Sequence, residues 1–151
     1  MGADLNPNPG TNPATLHTIL ADLLGTPPVH NDSELASLVE ERLPVDTLKS
    51  LKRGGLNDAE VYDLIIPRRT LAHRTANGEP LTREESDRAV RVARIAAIAE
   101  QVFGDAEKSW RWLRRPMRQL GGRTPIAMLS TEVGARVVEE MLGRIDYGIF
   151  A

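Results

Sequence analysis

The apolar residues of this chain recur every three or four positions in short runs, and a proline, a glycine or a capping residue bounds each run. The first run follows Asn12 and Pro13, a capping residue and a favoured first helical residue, and Gly25 ends it. Its apolar members are Leu16, Ile19, Leu20, Leu23 and Leu24. No stretch alternates apolar and polar residues as a half-buried strand does, so the sequence predicts an all-α fold.

Capping signals position the remaining helices. Asn57 with Glu60, and Thr82 with Glu85, have the spacing of a capping box, in which each side chain bonds the backbone N–H of the other residue. The helices predicted after the first one are 33–43, 45–53, 58–65, 67–76, 83–103, 105–115, 125–129 and 131–145. The longest is apolar on several faces in its middle, which indicates the central helix of the carboxy-terminal half.

These helices suggest three parts. Residues 1–32 are predicted to be a flexible amino-terminal extension with one short amphipathic helix, because residues 1–11 are rich in Asn, Pro and Gly. Residues 33–80 are predicted to form a helix-turn-helix domain, and residues 81–151 a small helical domain that follows it.

Composition excludes several classes of function. The 151 residues contain no cysteine, which rules out disulfides and thiolate metal sites. No apolar run approaches the roughly 20 residues that cross a bilayer, and no signal peptide is visible, so we expect a cytoplasmic protein. The three histidines lie in different segments, and no phosphate-loop pattern surrounds the glycine pairs. We therefore expect no catalytic residues, no metal, no cofactor and no enzyme activity.

The pair of short helices at 58–65 and 67–76 is a candidate DNA reader. Residues 46–76 contain six basic and four acidic residues, a local charge of +2 in a chain whose net charge is −2. A short apolar anchor and a basic outer face suit a helix that enters the major groove. The candidate DNA-binding residues are Arg68, Arg69, His73 and Arg74, flanked by Lys49, Lys52 and Arg53. The alternative is a solvated basic face between core helices. With so modest a charge, a dimer would be needed for useful affinity.

Two aromatic residues lie within an arginine-rich helix. Trp110 and Trp112 could suggest base stacking on single-stranded nucleic acid, but residues two apart face different sides of a helix. We therefore interpret Trp112 and Leu113 as core and Trp110 as partly exposed. The side chains expected to be solvated or at an interface are Arg111, Arg114, Arg115 and Arg118, and those expected on solvated helix faces are Glu84, Glu85, Glu139 and Glu140.

The carboxy-terminal segment is unusually apolar. The last predicted helix is expected to bury Val133, Val137, Val138, Met141, Leu142 and Ile145. After it come Tyr147, Ile149 and Phe150, whereas a free terminus is normally small and polar. Such an end either folds back onto its own core or is taken up by another protein, and the residues alone leave both possibilities open.

Several short motifs occur in a recognisable order from Pro67 onward. They are "PRRTLAHR" (67–74), "LTREESDR" (81–88), "VFGD" (102–105), "WL" (112–113) with Pro116, "LGGRTP" (120–125), Thr131, Gly134, Val137, Leu142 and "RIDYG" (144–148). Together they resemble the Xre/MbcA/ParS-type antitoxins, whose partners are toxins of the RES-domain kind. Residues 45–66 fit the family less sharply, and the first thirty residues match nothing recognisable.

The resemblance implies two functions on one chain. A helix-turn-helix domain of the Xre/Cro-like kind would bind the promoter of its own operon, and the carboxy-terminal helices would hold a RES toxin that consumes NAD. In that family the carboxy-terminal end obstructs the NAD pocket of the toxin. The candidate toxin-binding residues are therefore Arg144, Asp146, Tyr147, Gly148, Ile149 and Phe150.

The resemblance also implies that the protein acts as an inhibitor and repressor rather than as a catalyst, and the modest charge of the candidate DNA reader adds the expectation of a homodimer. Two alternatives remain at this stage. One is a stand-alone helix-turn-helix transcription regulator whose carboxy-terminal helices only mediate dimerisation. The other is a pure inhibitor whose helix-turn-helix no longer binds DNA.

Overall fold

The structure, a computed structural model, describes residues 13–148 and contains only helices and their connections within that range. The α-helices are α1 (Pro13–Leu24), α2 (Asp32–Glu41), α3 (Asp46–Arg53), α4 (Asp58–Leu64), α5 (Arg68–Ala76), α6 (Arg83–Phe103), α7 (Ala106–Leu113) and α8 (Glu132–Asp146). Two 3₁₀ turns, Arg118–Leu120 and Ile126–Ser130, join α7 to α8. The predicted all-α fold is confirmed.

Helix starts agree with the capping signals. At α4 the side chain of Asn57 accepts from the backbone N–H of Glu60 at 2.9 Å, and Glu60 accepts from the N–H of Asn57 at 3.0 Å. Thr82 and Glu85 close the same box at α6. One expected start is wrong by two residues, since α2 is capped by Asn31 rather than opened by Ser33. The Asn31 side chain is an equally good cap and comes first along the chain.

Helix α6 was predicted to be the central helix of the carboxy-terminal half, and it packs against helices of both halves of the chain. Four of its alanines, Ala89, Ala93, Ala97 and Ala99, are completely buried, and small residues allow neighbouring helices to approach closely. Helices α1, α2, α7 and α8 all pack against α6. One continuous core of buried side chains results, which extends from Leu20 in α1 to Leu142 in α8.

The amphipathic helix α1 belongs to this core. It packs against α3 and α6, and Leu20 and Leu24 are almost completely buried. The predicted domain divisions after residues 32 and 80 therefore do not correspond to separate cores, and they stay predictions. Helix α1 covers apolar surface of both α3 and α6.

The turn between α4 and α5 is tight and apolar on its inner side. Ile65 and Ile66 are buried, and Pro67 immediately precedes α5 with a φ of −59°. Arg88 of α6 donates to the carbonyl of Ile65 at 3.2 Å, which satisfies an unpaired acceptor at the end of α4. The two helices thus form a helix-turn-helix whose turn is held by a side chain of α6.

Burial differs from the sequence expectation at two aromatic side chains. Trp110 is the buried one, because its indole N–H donates to the carbonyl of Gly54 at 2.8 Å. Trp112 is half-buried beside Phe103, with ring centroids 5.7 Å apart. A buried indole is stable only when its N–H has a partner, and that partner comes from a distant turn. The assignment of Trp112 as core and Trp110 as partly exposed is therefore wrong.

Two further side chains on helix surfaces were also misplaced. Glu85 is buried rather than solvated, because an arginine from α5 neutralises it. Of the α8 residues expected to be buried, Val138, Met141 and Leu142 are buried, Val137 and Ile145 are only half-buried, and Val133 is 71% exposed. It precedes the fully buried Val138 by five residues, which places the two on nearly opposite sides of α8.

Candidate functional site

The outer side of α5 carries the candidate DNA-reading residues. Arg68, Arg69 and His73 are exposed, as is Ala72 between them. No residue of α5 is fully buried, and only Leu71 packs in part against the core. A short basic helix that stands on a few apolar contacts and turns its charges to solvent is the arrangement that major-groove recognition requires. The structure thus brings three of the four predicted α5 residues together on one face.

Arg74 points the other way. Its Nε atom donates to Oε1 of Glu85 at 2.8 Å, and a terminal nitrogen donates to Oε2 at 3.2 Å, while Glu79 is 3.3 Å from the remaining nitrogen. Burial alone raises the pKa of Glu85, but hydrogen bonds from Arg74 and from Thr82 outweigh it, so the pKa lies below its ordinary value. Arg74 therefore anchors α5 to the start of α6.

The flanking cations lie at the end of α3. Lys52 is 3.2 Å from Asp58 in the first turn of α4, and Arg53 donates to the Ser50 side chain at 3.0 Å. Helix α5 begins beyond the opposite end of α4, which is about 10 Å long. Lys52 and Arg53 thus lie near the start of α4, whereas the basic face of α5 follows its end.

A second arginine-to-glutamate contact fixes the start of α4. Arg114, the residue after α7, donates to both carboxylate oxygens of Glu60 at 2.9 and 2.7 Å and also to the carbonyl of Gly55 at 2.6 Å. Its guanidinium lies 4.9 Å from the ring centre of Trp110. The sequence predicted Arg114 to be solvated or at an interface. Its spacing of four residues from Trp110 was the available signal that both share one side of α7.

At the other end of the chain, the described tail residues differ in exposure. Arg144 and Tyr147 are exposed, and Gly148 has a φ of +71°, a backbone conformation that favours glycine. Asp146 is half-buried, and among the described residues its Oδ2 atom accepts no hydrogen bond. Ile149 and Phe150 lie outside the described residues. Helix α8 therefore delivers an exposed tyrosine to the point where the final segment begins.

Other types of site receive no support from the geometry. Within residues 13–148, no group of three or more His, Asp or Glu side chains is arranged to hold a metal ion. In the same range, no helix combines the length and the apolar character that a membrane span needs. The face of α5 and the end of α8 carry the residues that the sequence singled out.

Comparison with known proteins assigns two described domains to the chain. Residues 34–94 match the antitoxin Xre-like helix-turn-helix domain, and residues 99–148 match the antitoxin Xre/MbcA/ParS C-terminal toxin-binding domain. The first match contains α4 and α5, and the second contains α7 and α8. Each surface therefore lies in the domain whose described role it fits.

Whole-chain relatives agree with these domains. The chain is 41% identical to Antitoxin Xre of Pseudomonas putida over 129 residues, which cover 85% of this chain and 81% of that protein. It is 32% identical to Antitoxin Xre of Yersinia enterocolitica over 142 residues, or 92% and 95% of the two chains. A Sphingobium protein named Prs ADP-ribosylating antitoxin is 33% identical over 91 residues, 54% of this chain and 57% of its own length. The chain therefore belongs to the Xre/MbcA/ParS family of antitoxins, with a helix-turn-helix domain followed by a toxin-binding domain.

Proposed function

We propose that this antitoxin neutralises a RES-domain toxin that consumes NAD, and that it represses its own operon through α5. The toxin-binding domain over residues 99–148 carries the first half of the proposal. The exposed basic face of α5 supports the second. Both activities would take place in the cytoplasm, where the operator DNA and the NAD pool are found.

The DNA half depends on Arg68, Arg69 and His73. The guanidinium fork of arginine can bind the edge of a guanine or a phosphate, and His73 adds a further donor on the same face. The modest local charge limits the affinity of one copy. A homodimer that presents two α5 helices about 34 Å apart, one turn of the double helix, would bind two half-sites together.

The toxin half depends on the end of α8. A pocket for NAD should offer an apolar slot beside cations that bind phosphate. Tyr147 or Phe150 would fill the slot, with Ile149 against its wall. Asp146 or the terminal carboxylate would pair with a cation, and Arg144 with an acidic residue of the toxin. Gly148, already in a left-handed conformation, would let the chain turn into the cavity.

The name of the Sphingobium relative supports an NAD-using partner. Its name is Prs ADP-ribosylating antitoxin, and ADP-ribosyl transfer uses NAD as the donor. A first check is genomic, since the proposal expects a RES-domain reading frame beside this gene. An adjacent reading frame of an unrelated class would contradict the RES assignment.

Removing residues 146–151 tests the obstruction of the pocket. We expect the shortened chain to melt at the wild-type temperature and to bind promoter DNA normally, while the adjacent toxin regains its NAD consumption. A tail that completed the core of its own chain would instead lower the melting temperature. Full inhibition of the toxin by the shortened chain would contradict the proposal.

Changing Arg68 and Arg69 together to Ala tests the DNA half. We expect at least about tenfold weaker binding to the promoter fragment and a salt dependence that is reduced by about one unit of slope for each lost phosphate contact. The matched control changes Arg111 and Arg115, two exposed arginines at the end of α7, in the same way. Equal binding by both double variants would contradict the assignment of α5 as the reader.

The alternative is a stand-alone transcription regulator whose carboxy-terminal helices only mediate dimerisation. The exposed Val133 and Tyr147 favour it, because such residues suit contact with a second copy. Truncation distinguishes the two functions. Loss of dimer on removal of α8, with no adjacent toxin bound by the intact chain, would support the regulator.

A further inference from the structure

The side chains that α5 turns outward form an ordered pattern. Thr70, Leu71 and Arg74 are half-buried, and they mark the inner side of the helix. An α-helix turns by about 100° per residue, which fixes the residues that lie opposite them. We call the three exposed residues nearest the middle of that opposite side the central stripe of α5, and they are Arg69, Ala72 and Ala76.

Two basic residues border the central stripe, one on each side. Arg68 is the first residue of α5 and forms no ion pair among the described residues. His73 lies at the other edge, where the amide nitrogen of Asn77 is 3.1 Å from Nε2 of the imidazole. The phosphates of both strands border a major groove, so donors at the two edges of a helix in that groove face phosphates rather than bases.

The central stripe itself carries one long side chain and two short ones. Ala72 and Ala76 are exposed, so neither methyl group fills space in the core. Short side chains in the middle of the outward side allow the helix to lie deep in a groove. The amino-terminal residues of a helix-turn-helix reader are the ones that reach base edges, which selects Arg69 and Ala72 and leaves Ala76 beyond them.

Arg69 and Ala72 suit two particular bases. The guanidinium fork of arginine donates to O6 and N7 of guanine, and the methyl group of alanine packs against the C5-methyl group of thymine. Adenine and cytosine are bound instead by Asn, Gln, Asp or Glu, and the sequence of α5, RRTLAHRTA, contains none of these. Residues three apart differ by about 4.5 Å along a helix, so the two contacts fall within two base pairs of each other.

We infer that each DNA half-site of this protein contains a guanine bound by Arg69 and, within two base pairs of it, a thymine bound by Ala72. The inference rests on the proposed function and adds the identity of the bases to it. Arg68 and His73 bind phosphates, so they contribute affinity without sequence preference. Arg74 takes no part, because both of its hydrogen bonds to Glu85 hold it on the inner side of α5.

Base analogues in the promoter fragment of this gene test the inference without altering the protein. Deazaguanine, in which carbon replaces the N7 acceptor, is substituted for each guanine in turn, and uracil, which lacks the C5-methyl group, for each thymine. We expect one guanine in each half-site to weaken binding by at least about fivefold when it is replaced, because one bond of the fork is lost. A thymine within two base pairs of it should cost about threefold, the effect of one unburied methyl group.

Matched substitutions in α5 assign each base to its residue. Arg69→Lys keeps the charge but removes the fork, so this variant should no longer distinguish guanine from deazaguanine. Arg68→Lys is the control, because a phosphate contact needs only the charge, and it should keep the distinction and bind within about twofold of wild type. Ala72→Gly should remove the difference between thymine and uracil, whereas Ala76→Gly, the same change in the same helix, should preserve it.

The outcomes separate this inference from the proposed function. Failure of the wild-type chain to bind the promoter fragment would contradict the proposed function itself. Promoter binding that neither analogue weakens at any position would overturn the inference alone. Equal loss of guanine discrimination in Arg69→Lys and Arg68→Lys would show that Arg69 is not the residue that binds guanine. The glycine variants are compared only as the ratio of thymine to uracil binding, so a general loss of helix stability cannot imitate the expected result.

Discussion

Arg114 binds Glu60 through two hydrogen bonds of 2.9 and 2.7 Å, although the two residues belong to different matched domains. Glu60 is the capping glutamate of α4, the first helix of the helix-turn-helix. The same carboxylate therefore completes a helix start and receives an arginine from the toxin-binding domain. Because Trp110 also bonds the carbonyl of Gly54, the end of α7 is joined to the turn before α4 at two places.

We predict that Arg114→Gln lowers the free energy of unfolding by about 2 kcal/mol, because the half-buried Glu60 loses a bidentate partner. Urea unfolding measures this loss. Arg115→Gln, at the exposed next position, should stay within about 0.5 kcal/mol of wild type. In a double-mutant cycle with Glu60→Gln, a coupling energy near zero would show that the pair does not link the two domains.

Gly55→Ala should be more destabilising than Gly121→Ala. Both glycines have positive φ values, +127° and +66°, so backbone strain opposes alanine at each. Only Gly55 is covered by the indole of Trp110, whereas nothing lies near a Cβ at Gly121. We expect an additional loss of about 1–3 kcal/mol at Gly55, the usual cost of an overpacked contact. Equal melting temperatures for the two variants would contradict this packing.

Arg74→Ala and Arg69→Ala should have different consequences, although both remove a cation from α5. Arg74→Ala leaves Glu85 buried without its partner, so we expect a loss of about 2–3 kcal/mol in stability. Arg69→Ala should leave stability within about 0.5 kcal/mol of wild type and weaken only DNA binding. Thermal unfolding and promoter titration, performed on both variants, separate the roles. A fully stable Arg74→Ala variant would show that this contact is not an anchor.

The contact at Glu85 also predicts a dependence on pH. The pKa of Glu85 is lower in the folded protein than in the unfolded chain. The contribution of Glu85 to the free energy of unfolding is therefore complete above the pKa of the unfolded chain, and it is lost as the pH falls through the pKa of the folded protein. The stability difference between wild type and Glu85→Gln should therefore be full at pH 7 and should shrink below about pH 4. A difference that stayed constant between pH 7 and pH 3 would exclude this linkage.

For Glu100 we expect the opposite dependence of stability on pH. Burial, with Asp105 and Asp22 nearby, raises its pKa, so the folded protein binds the proton more tightly than the unfolded chain. Its ionisation therefore costs stability as the pH rises from the unfolded pKa through the folded one. We expect Glu100→Gln to raise the melting temperature at pH 7 and to have little effect below about pH 4. Glu140→Gln, on an exposed position of α8, is the control and should do neither.

Features that depend on neighbours in sequence were predictable. The two capping boxes were identified because Asn57 and Thr82 lie three residues before their glutamates, and the helix bounds followed from them. The basic face of α5 was placed correctly for Arg68, Arg69 and His73. Arg74 was assigned to the same face, although it follows Leu71 by three residues and so shares the inner side of the helix.

Features that depend on distant partners were not predictable. Trp110 is buried because a carbonyl from the turn at Gly54 accepts its N–H, and no local pattern indicates that pairing. Glu85 is buried because Arg74 reaches it from another helix. In both cases a polar group is buried because a specific partner from a distant part of the chain satisfies it. Helical periodicity carries no information about that partner.

The contact of Trp110 with the bare backbone of Gly55 has a consequence for recombination within the family. Exchanging the carboxy-terminal half for that of another antitoxin would bring a foreign α7 against this glycine, and a mismatched ring there would unfold the chimera rather than redirect it. Substitutions on the solvent side of α8 leave that contact untouched. Exchange of the carboxy-terminal half therefore has to preserve the contact between Trp110 and Gly55, whereas substitutions on the solvent side of α8 do not affect it.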